Sequence, residues 1–174
     1  MPLIHLPVGW TVVLDSIAWT VIQLTISYLG TRLPTSALDV ELWLFRMRKW
    51  ERSGDTYARL LRVRRWKALL PSGGALFRGG FSMKRMVSHR EEYLERWINE
   101  SCRSEWVHWT ALVSCGLFFL WNPPSLGIAM VLYAVIANLP CIVVQRYNRP
   151  RIRKILRRRE LSPFGATDTS VVDS

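Results

Sequence analysis

Cysteine is scarce: three occur in 174 residues, Cys102, Cys115 and Cys141, and no two have C-x-x-C spacing. An odd number so placed argues against a disulfide framework. Histidine is equally sparse, and His5, His89 and His108 show no metal-ligand spacing, so a structural zinc site finds no support. No G-x-S-x-G elbow is present, and no Cys–His pair suggests a covalent acyl-enzyme. The most informative absence is one of charge. The chain carries 24 Lys and Arg against 13 Asp and Glu, a net charge of +11, yet residues 1–31 and 105–145 contain no Lys or Arg. A soluble helical domain scatters its basic residues along every exposed face; here they are confined by segment to 32–104 and 146–174, so nucleic acid is not an expected partner. Charge and apolarity are segregated by segment, and that pattern indicates a membrane protein.

A hydrocarbon core about 30 Å thick takes about 20 mostly apolar residues in a helix. Residues 8–29, 106–121 and 126–144 reach or approach that length. The run N-P-P-S at 122–125 separates the last two and predicts a tight hairpin, because two adjacent prolines cannot continue a helix. The second run is short, so its helix is expected to arrive already formed from upstream. The positive-inside tendency puts both basic blocks in the cytoplasm, giving an outside N-terminus, three crossings and a cytoplasmic C-terminus. Trp10, Trp106, Trp109 and Trp121 fall near the expected interfaces. A cleaved signal peptide is the alternative for the first run, which however lacks a basic n-region and carries Asp15. The predicted fold class is all-α: an integral membrane protein with about three transmembrane helices plus amphipathic interfacial helices. One domain is expected over 1–167, with a cytosolic or interfacial block at 32–105 and a disordered tail at 168–174.

Residues 39–70 read as two amphipathic helices lying in the headgroup plane, the first capped by Asp39 and the two separated at Ser53-Gly54-Asp55. Pro71-Ser72-Gly73-Gly74 and Gly79-Gly80 mark a flexible loop after them. Pro140 is expected to kink the third membrane helix and Pro150 to limit it.

The membrane runs also carry polar stripes. At about 100° per residue, Asp15, Ser16, Trp19, Thr20, Gln23 and Ser27 share one arc of the first helix. Asn138, Gln145 and Arg149 share a face of the third, and Leu94, Ile98, Ser101, Glu105 and His108 form one stripe leading into the second. Ionisable groups within hydrocarbon are costly, so they face a partner or a wet cavity. The plainer reading is helix glue, in which Asn, Gln, Ser and Thr bond across helices without chemistry. A carboxylate three residues before an imidazole can hold its tautomer and raise its basicity, which singles out Glu105 with His108. Arg146, Arg149 and Arg151 gather where the chain leaves the bilayer, suited to anionic lipid headgroups or to phosphate.

Four segments carry a resemblance: W-T-V-I-Q-L-T-I-S-Y-L-G-T-R-L-P at 19–34, V-R-R-W-K at 63–67, E-S-C-R-S-E-W-V-H-W at 100–109 and Y-A-V-I-A-N-L-P-C-I-V-V-Q-R-Y-N-R-P-R at 133–151. In order and spacing they resemble the glycosyl-4,4'-diaponeurosporenoate acyltransferases, small membrane enzymes of bacterial carotenoid biosynthesis. Asp15 is not part of that pattern, and residues 70–89 match it poorly. The resemblance implies a membrane-bound O-acyltransferase of the bacterial cell membrane, moving a fatty acyl group to a sugar hydroxyl of a glycosylated carotenoid or other glycolipid. No bound cofactor or metal is expected; the donor is acyl-CoA or an acyl-carrier protein, and the acceptor stays in the bilayer.

Direct transfer needs a base, an oxyanion partner and a grip on the donor. His108 is the expected base, with Glu105 orienting it. Gln23, Asn138 or Gln145 can donate to the oxyanion. Arg32, Arg103, Arg146 and Arg149 are expected to hold donor phosphates, although Arg103 lies off the His108 face. Trp66 and Lys67, with Tyr147 and Asn148, complete the expected substrate-binding set, and the helices bearing Trp50 and Trp66 would cover the way in for lipid. The rivals are a non-catalytic membrane subunit or scaffold, and a small membrane methyltransferase, for which no nucleoside-pocket signature is visible.

Overall fold

The computed structural model describes residues 7–70, 81, 83 and 86–161; the expected loop at 71–80 and the expected tail at 168–174 lie outside them. Among the described residues there are helices and turns and no strand. The α-helices are α1 (Val8–Arg32), α2 (Asp55–Leu60), α3 (Val63–Trp66), α4 (Glu91–Ser114) and α5 (Pro124–Glu160). Short 3-10 segments occupy Thr35–Leu38, Lys49–Gly54, Lys67–Leu69 and Cys115–Leu120. The chain divides into two compact units, Met1–Arg46 with Asn99–Gln145, and Met47–Ile98 with Arg146–Ser174.

Two helices are long and apolar enough to cross a membrane, α1 and α5. Both leave large apolar side chains uncovered, among them Val12, Ile17 and Leu24 on α1 and Ile128, Leu132 and Ile136 on α5. Apolar surface on this scale marks contact with lipid or another chain. The expected second crossing is built differently. Its helix begins at Glu91, whose carboxylate and that of Glu92 suit the positive end of the helix dipole, and it tightens to 3-10 over Cys115–Leu120.

The hairpin turn at 121–123 ends in proline for a physical reason. Pro123 O accepts the first helical bond, from Gly127 N at 3.0 Å, which puts Pro124 at the first helical position, where a missing N–H is harmless. Two expectations are corrected. Pro150 does not limit α5, which runs on to Glu160. An interior proline costs about 3 kcal/mol, but the second unit ties α5 down on both sides of it, through Glu51 to Arg146 and Asp55 to Arg151. Nor is there a helix after Asp39. Its carboxylate bonds Glu41 N at 2.9 Å, two residues on, and this closes a turn instead of capping a helix. The chain then runs in turns to Met47, burying Phe45 and leaving Trp43 exposed. The separation at Ser53-Gly54 stands, as a left-handed run: φ is 46° at Arg52, 55° at Ser53 and 88° at Gly54.

In the first unit one core cluster joins Leu38, Phe45 and Cys102, packed by Leu33, Leu44 and Trp106. A second joins Cys115, Phe118 and Ala134, with Trp19 and Ile22 of α1 and Met130 of α5 around them. Two contacts fix α1. Asp15 Oδ1 accepts from Trp121 Nε1 at 2.7 Å and Asn122 Nδ2 at 2.8 Å. Fifteen residues later Gly30 meets α4 so closely that a Cβ there would lie 2.6 Å from Val107 Cγ2. Gly30→Val should therefore force α1 from α4 and lower stability by about 1–3 kcal/mol, the usual range for overpacking. Thermal unfolding in detergent checks this, against an unchanged midpoint for Gly9→Val, where nothing lies within 4 Å.

Candidate active site

In the first unit α4 and α5 face each other through two polar rungs. His108 Nδ1 lies 2.8 Å from Asn138 Oδ1, and Gln145 Nε2 donates to Ser104 Oγ at 3.2 Å. The spacing is that of antiparallel helices: four residues back along α4, seven forward along α5. The upper rung settles a proton position. Asn138 Nδ2 donates to Ala134 O at 2.9 Å, so its carbonyl oxygen is turned to the imidazole. A carbonyl only accepts; Nδ1 must therefore carry the hydrogen, and the neutral ring keeps its lone pair at Nε2. Asn138 is 2 % exposed, which holds the arrangement firmly.

Glu105 is therefore not the group that orients His108, as the sequence predicts; Asn138 is. The carboxylate is fully buried and accepts from Trp109 Nε1 at 3.2 Å. Helix geometry explains the choice: at about 100° per residue, Trp109 lies about 40° around from Glu105 and His108 about 60°. Asn138 in turn has its amide engaged at both ends and is not placed to serve an oxyanion. Gln145 is 8 % exposed and its Oε1 has no hydrogen bond among the described residues. Gln23 is half-buried on α1 and makes no hydrogen bond among them.

The four arginines expected to hold phosphate are occupied elsewhere. Arg103 Nη1 donates to Gly30 O and, at 3.1 Å, to Leu33 O, while its Nε meets Glu100 at 3.3 Å. It thus gives the Leu33 carbonyl, just past the C-terminus of α1, a donor and adds a second donor to Gly30 O, which also accepts from Leu33 N at 3.2 Å. Arg32 is exposed and folds back on Tyr28, donating to its hydroxyl at 2.8 Å. Arg146, in the second unit, pairs with Glu51 at 2.6 Å, the carboxylate fully buried and also accepting from Arg48 N at 3.2 Å. Arg149 is buried to 1 % and engaged.

The second unit gathers the remaining expected residues around the Tyr147 ring. Arg151 Cζ stacks 3.8 Å from its centroid, Lys67 Nζ lies 5.1 Å from it, and Arg64 Nε donates to its hydroxyl at 3.0 Å. That hydrogen bond pushes the Arg64 pKa further up, so the guanidinium stays charged. Lys67 Nζ also donates to Asn148 Oδ1 at 3.1 Å. Trp66 Nε1 closes a local turn on Leu61 O at 2.7 Å. Four residues of these networks escape sequence reading. Ser104 sits four before His108, a spacing that could have exposed it. Glu51, Asp55 and Arg64 reach α5 only through the tertiary fold, although Arg64 lies inside the V-R-R-W-K segment.

Two variants separate these roles. Arg103→Met should lower the unfolding midpoint while leaving the KM for an acyl donor unchanged, because its guanidinium caps a helix. Arg146→Met strands a buried carboxylate and should cost about 3–5 kcal/mol, with much of it restored by adding Glu51→Leu; chemical denaturation of the two variants measures both.

No solved structure matches the chain. The profile of the glycosyl-4,4'-diaponeurosporenoate acyltransferases matches residues 41–158. Proteins of that name from Staphylococcus aureus, strains bovine RF122 / ET3-1 and USA300, are each 32% identical over 142 residues, covering 82% of this chain and 86% of theirs. The match takes in α4 from end to end and the rungs that α5 makes with it. The chain belongs to the glycosyl-4,4'-diaponeurosporenoate acyltransferase family.

Proposed function

We propose that the chain moves a fatty acyl group from an acyl thioester, on CoA or an acyl-carrier protein, to a sugar hydroxyl of a glycosylated carotenoid or another glycolipid. The observation that carries this reading is the His108–Asn138 pair, which leaves Nε2 as a base in the family to which the chain belongs. Nε2 takes the proton of the sugar hydroxyl as its oxygen bonds to the thioester carbon. The tetrahedral oxyanion then collapses, the C–S bond breaks, and the departing thiolate recovers the proton from the imidazolium. The products are an ester and a free thiol.

Gln23 is the amide assigned to the oxyanion. It stands seven residues before Gly30, about 20° away around α1, and so on the face that α1 turns to α4. Gln145 Oε1, buried and without a hydrogen bond among the described residues, is assigned a second hydroxyl of the acceptor. The reaction takes place in the bacterial cell membrane, with α1, the 106–121 segment and the apolar part of α5 as three crossings. The N-terminus is outside and the C-terminus cytoplasmic, because every Lys and Arg lies in 32–104 or 146–174. The acceptor's apolar tail lies along the uncovered faces of α1 and α5.

Mass analysis of lipid extracts from a glycosylated-carotenoid-producing host, with and without the gene, should show a new acylated glycolipid; no new species would overturn the reading. His108→Ala should lose about 10²–10⁴ in kcat, the usual contribution of a general base, with the unfolding midpoint retained. Asn138→Asp places a carboxylate on Nδ1 and favours the imidazolium. The acid limb of the pH–rate profile should then move to higher pH, whereas an unmoved limb would remove His108 as base.

A further inference from the structure

We infer that the pocket lined by Asp55, Ala58, Arg59 and Arg64 binds the phosphate groups of the donor's carrier, an inference that rests on the donor being a thioester of a phosphorylated pantetheine. The pocket is an open, polar depression of about 360 Å³ at the surface, with the Asp55, Arg59 and Arg64 side chains exposed around it. It lies wholly within the second unit. Arg64 is anchored through Nε alone, to the Tyr147 hydroxyl, and that ring also carries Arg151 and Lys67 at 3.8 and 5.1 Å from its centroid. Both Nη groups of Arg64 and the whole guanidinium of Arg59 make no further hydrogen bond or ion pair among the described residues. A fixed guanidinium fork beside a second, uncommitted one suits the paired oxygens of a phosphate ester or anhydride. Asp55 would oppose an anion if left alone, but Arg151 Nη2 holds its carboxylate at 3.0 Å.

Elimination points to the same place. Arg103 caps α1, Arg32 folds on Tyr28, Arg146 pairs with Glu51 and Arg149 is buried and engaged, so none of the four arginines expected from the sequence presents a free fork to a pocket. Free CoA and a carrier protein present the same chemistry, a pantetheine arm ending in phosphate, and binding to each tells them apart.

The test is equilibrium binding of CoA, of holo acyl-carrier protein and of phosphate-free pantetheine to the full chain in detergent. It compares the wild type with Arg59→Gln, Arg64→Gln and Arg59→Lys. Whichever of CoA and the carrier binds should lose about tenfold or more in affinity in each Gln variant, the equivalent of one charge-assisted hydrogen bond. Arg59→Lys should recover part of it, and pantetheine should bind all forms alike. In the acylation assay the donor KM should rise by the same factor, with kcat and the acceptor KM unchanged. Arg64 also holds Tyr147, so if Arg64→Gln lowers the unfolding midpoint, Arg59→Gln decides. Donor affinity within about twofold of wild type in Arg59→Gln would overturn the inference. So would binding of neither donor by wild type. Acyl transfer with a donor KM indifferent to Arg59 would sink the pocket and leave the proposed function standing. Arginine-dependent CoA binding without any acyl transfer would do the reverse.

Discussion

The carboxamide of Asn138 is held at both ends, by the Ala134 carbonyl of its own helix and by the imidazole of His108 on α4. Such a group cannot be turned over without stranding two buried polar atoms, at a cost of about 1–3 kcal/mol each. The chemistry proposed for the first unit depends on that constraint. It fixes the facing register of α4 and α5, which Gln145 and Ser104 repeat one step along. It also assigns the imidazole proton without reference to any substrate. The usual function of amides in apolar helices is to join them, and Asn138 does that here; the joining and the orientation of the imidazole are one interaction.

Cations are used in two ways. Where a guanidinium is buried or half-buried it completes the scaffold, as Arg103 does for the carbonyls of Gly30 and Leu33 and Arg146 does for Glu51. Where it is exposed it is at most tethered, as Arg64 is by a phenol. Desolvation accounts for the division. A buried charge must be paired, and once paired its fork is no longer open to a ligand. Chemical type alone therefore does not separate arginines that hold the scaffold from arginines left open; burial does.

Much of the fold is legible in composition and spacing. The cation-free segments locate α1 and the apolar part of α5, and the N-P-P-S run locates the turn between the 3-10 segment and α5. The face arithmetic that joins Asn138 to Gln145 is upheld by two rungs to α4. What the sequence misplaces is decided by contacts distant along the chain. Pro150 reads as a stop because local sterics disfavour helix before it, and only the ties from Glu51 and Asp55 show why the helix persists. Asp39 reads as a cap because the residues after it look amphipathic; burial of Leu38 and Phe45 against Cys102 favours a turn instead. Glu105 reads as the partner of His108 because three residues is a helical neighbour distance, yet Trp109 lies nearer around the helix and Asn138 is reached only across the gap to α5.

Asp15 stands outside the pattern by which the family was identified, and its two bonds to Trp121 and Asn122 have a geometric effect on α1. A rod that is oily all round has no preferred azimuth in an oily solvent; it can spin like an axle. Asp15 near one end and the side-chain-free Gly30 near the other act as two index marks that lock the angle. With the rotation arrested at both marks, a carboxylate fifteen residues from Gly30 helps decide which face α1 turns to Val107 of α4.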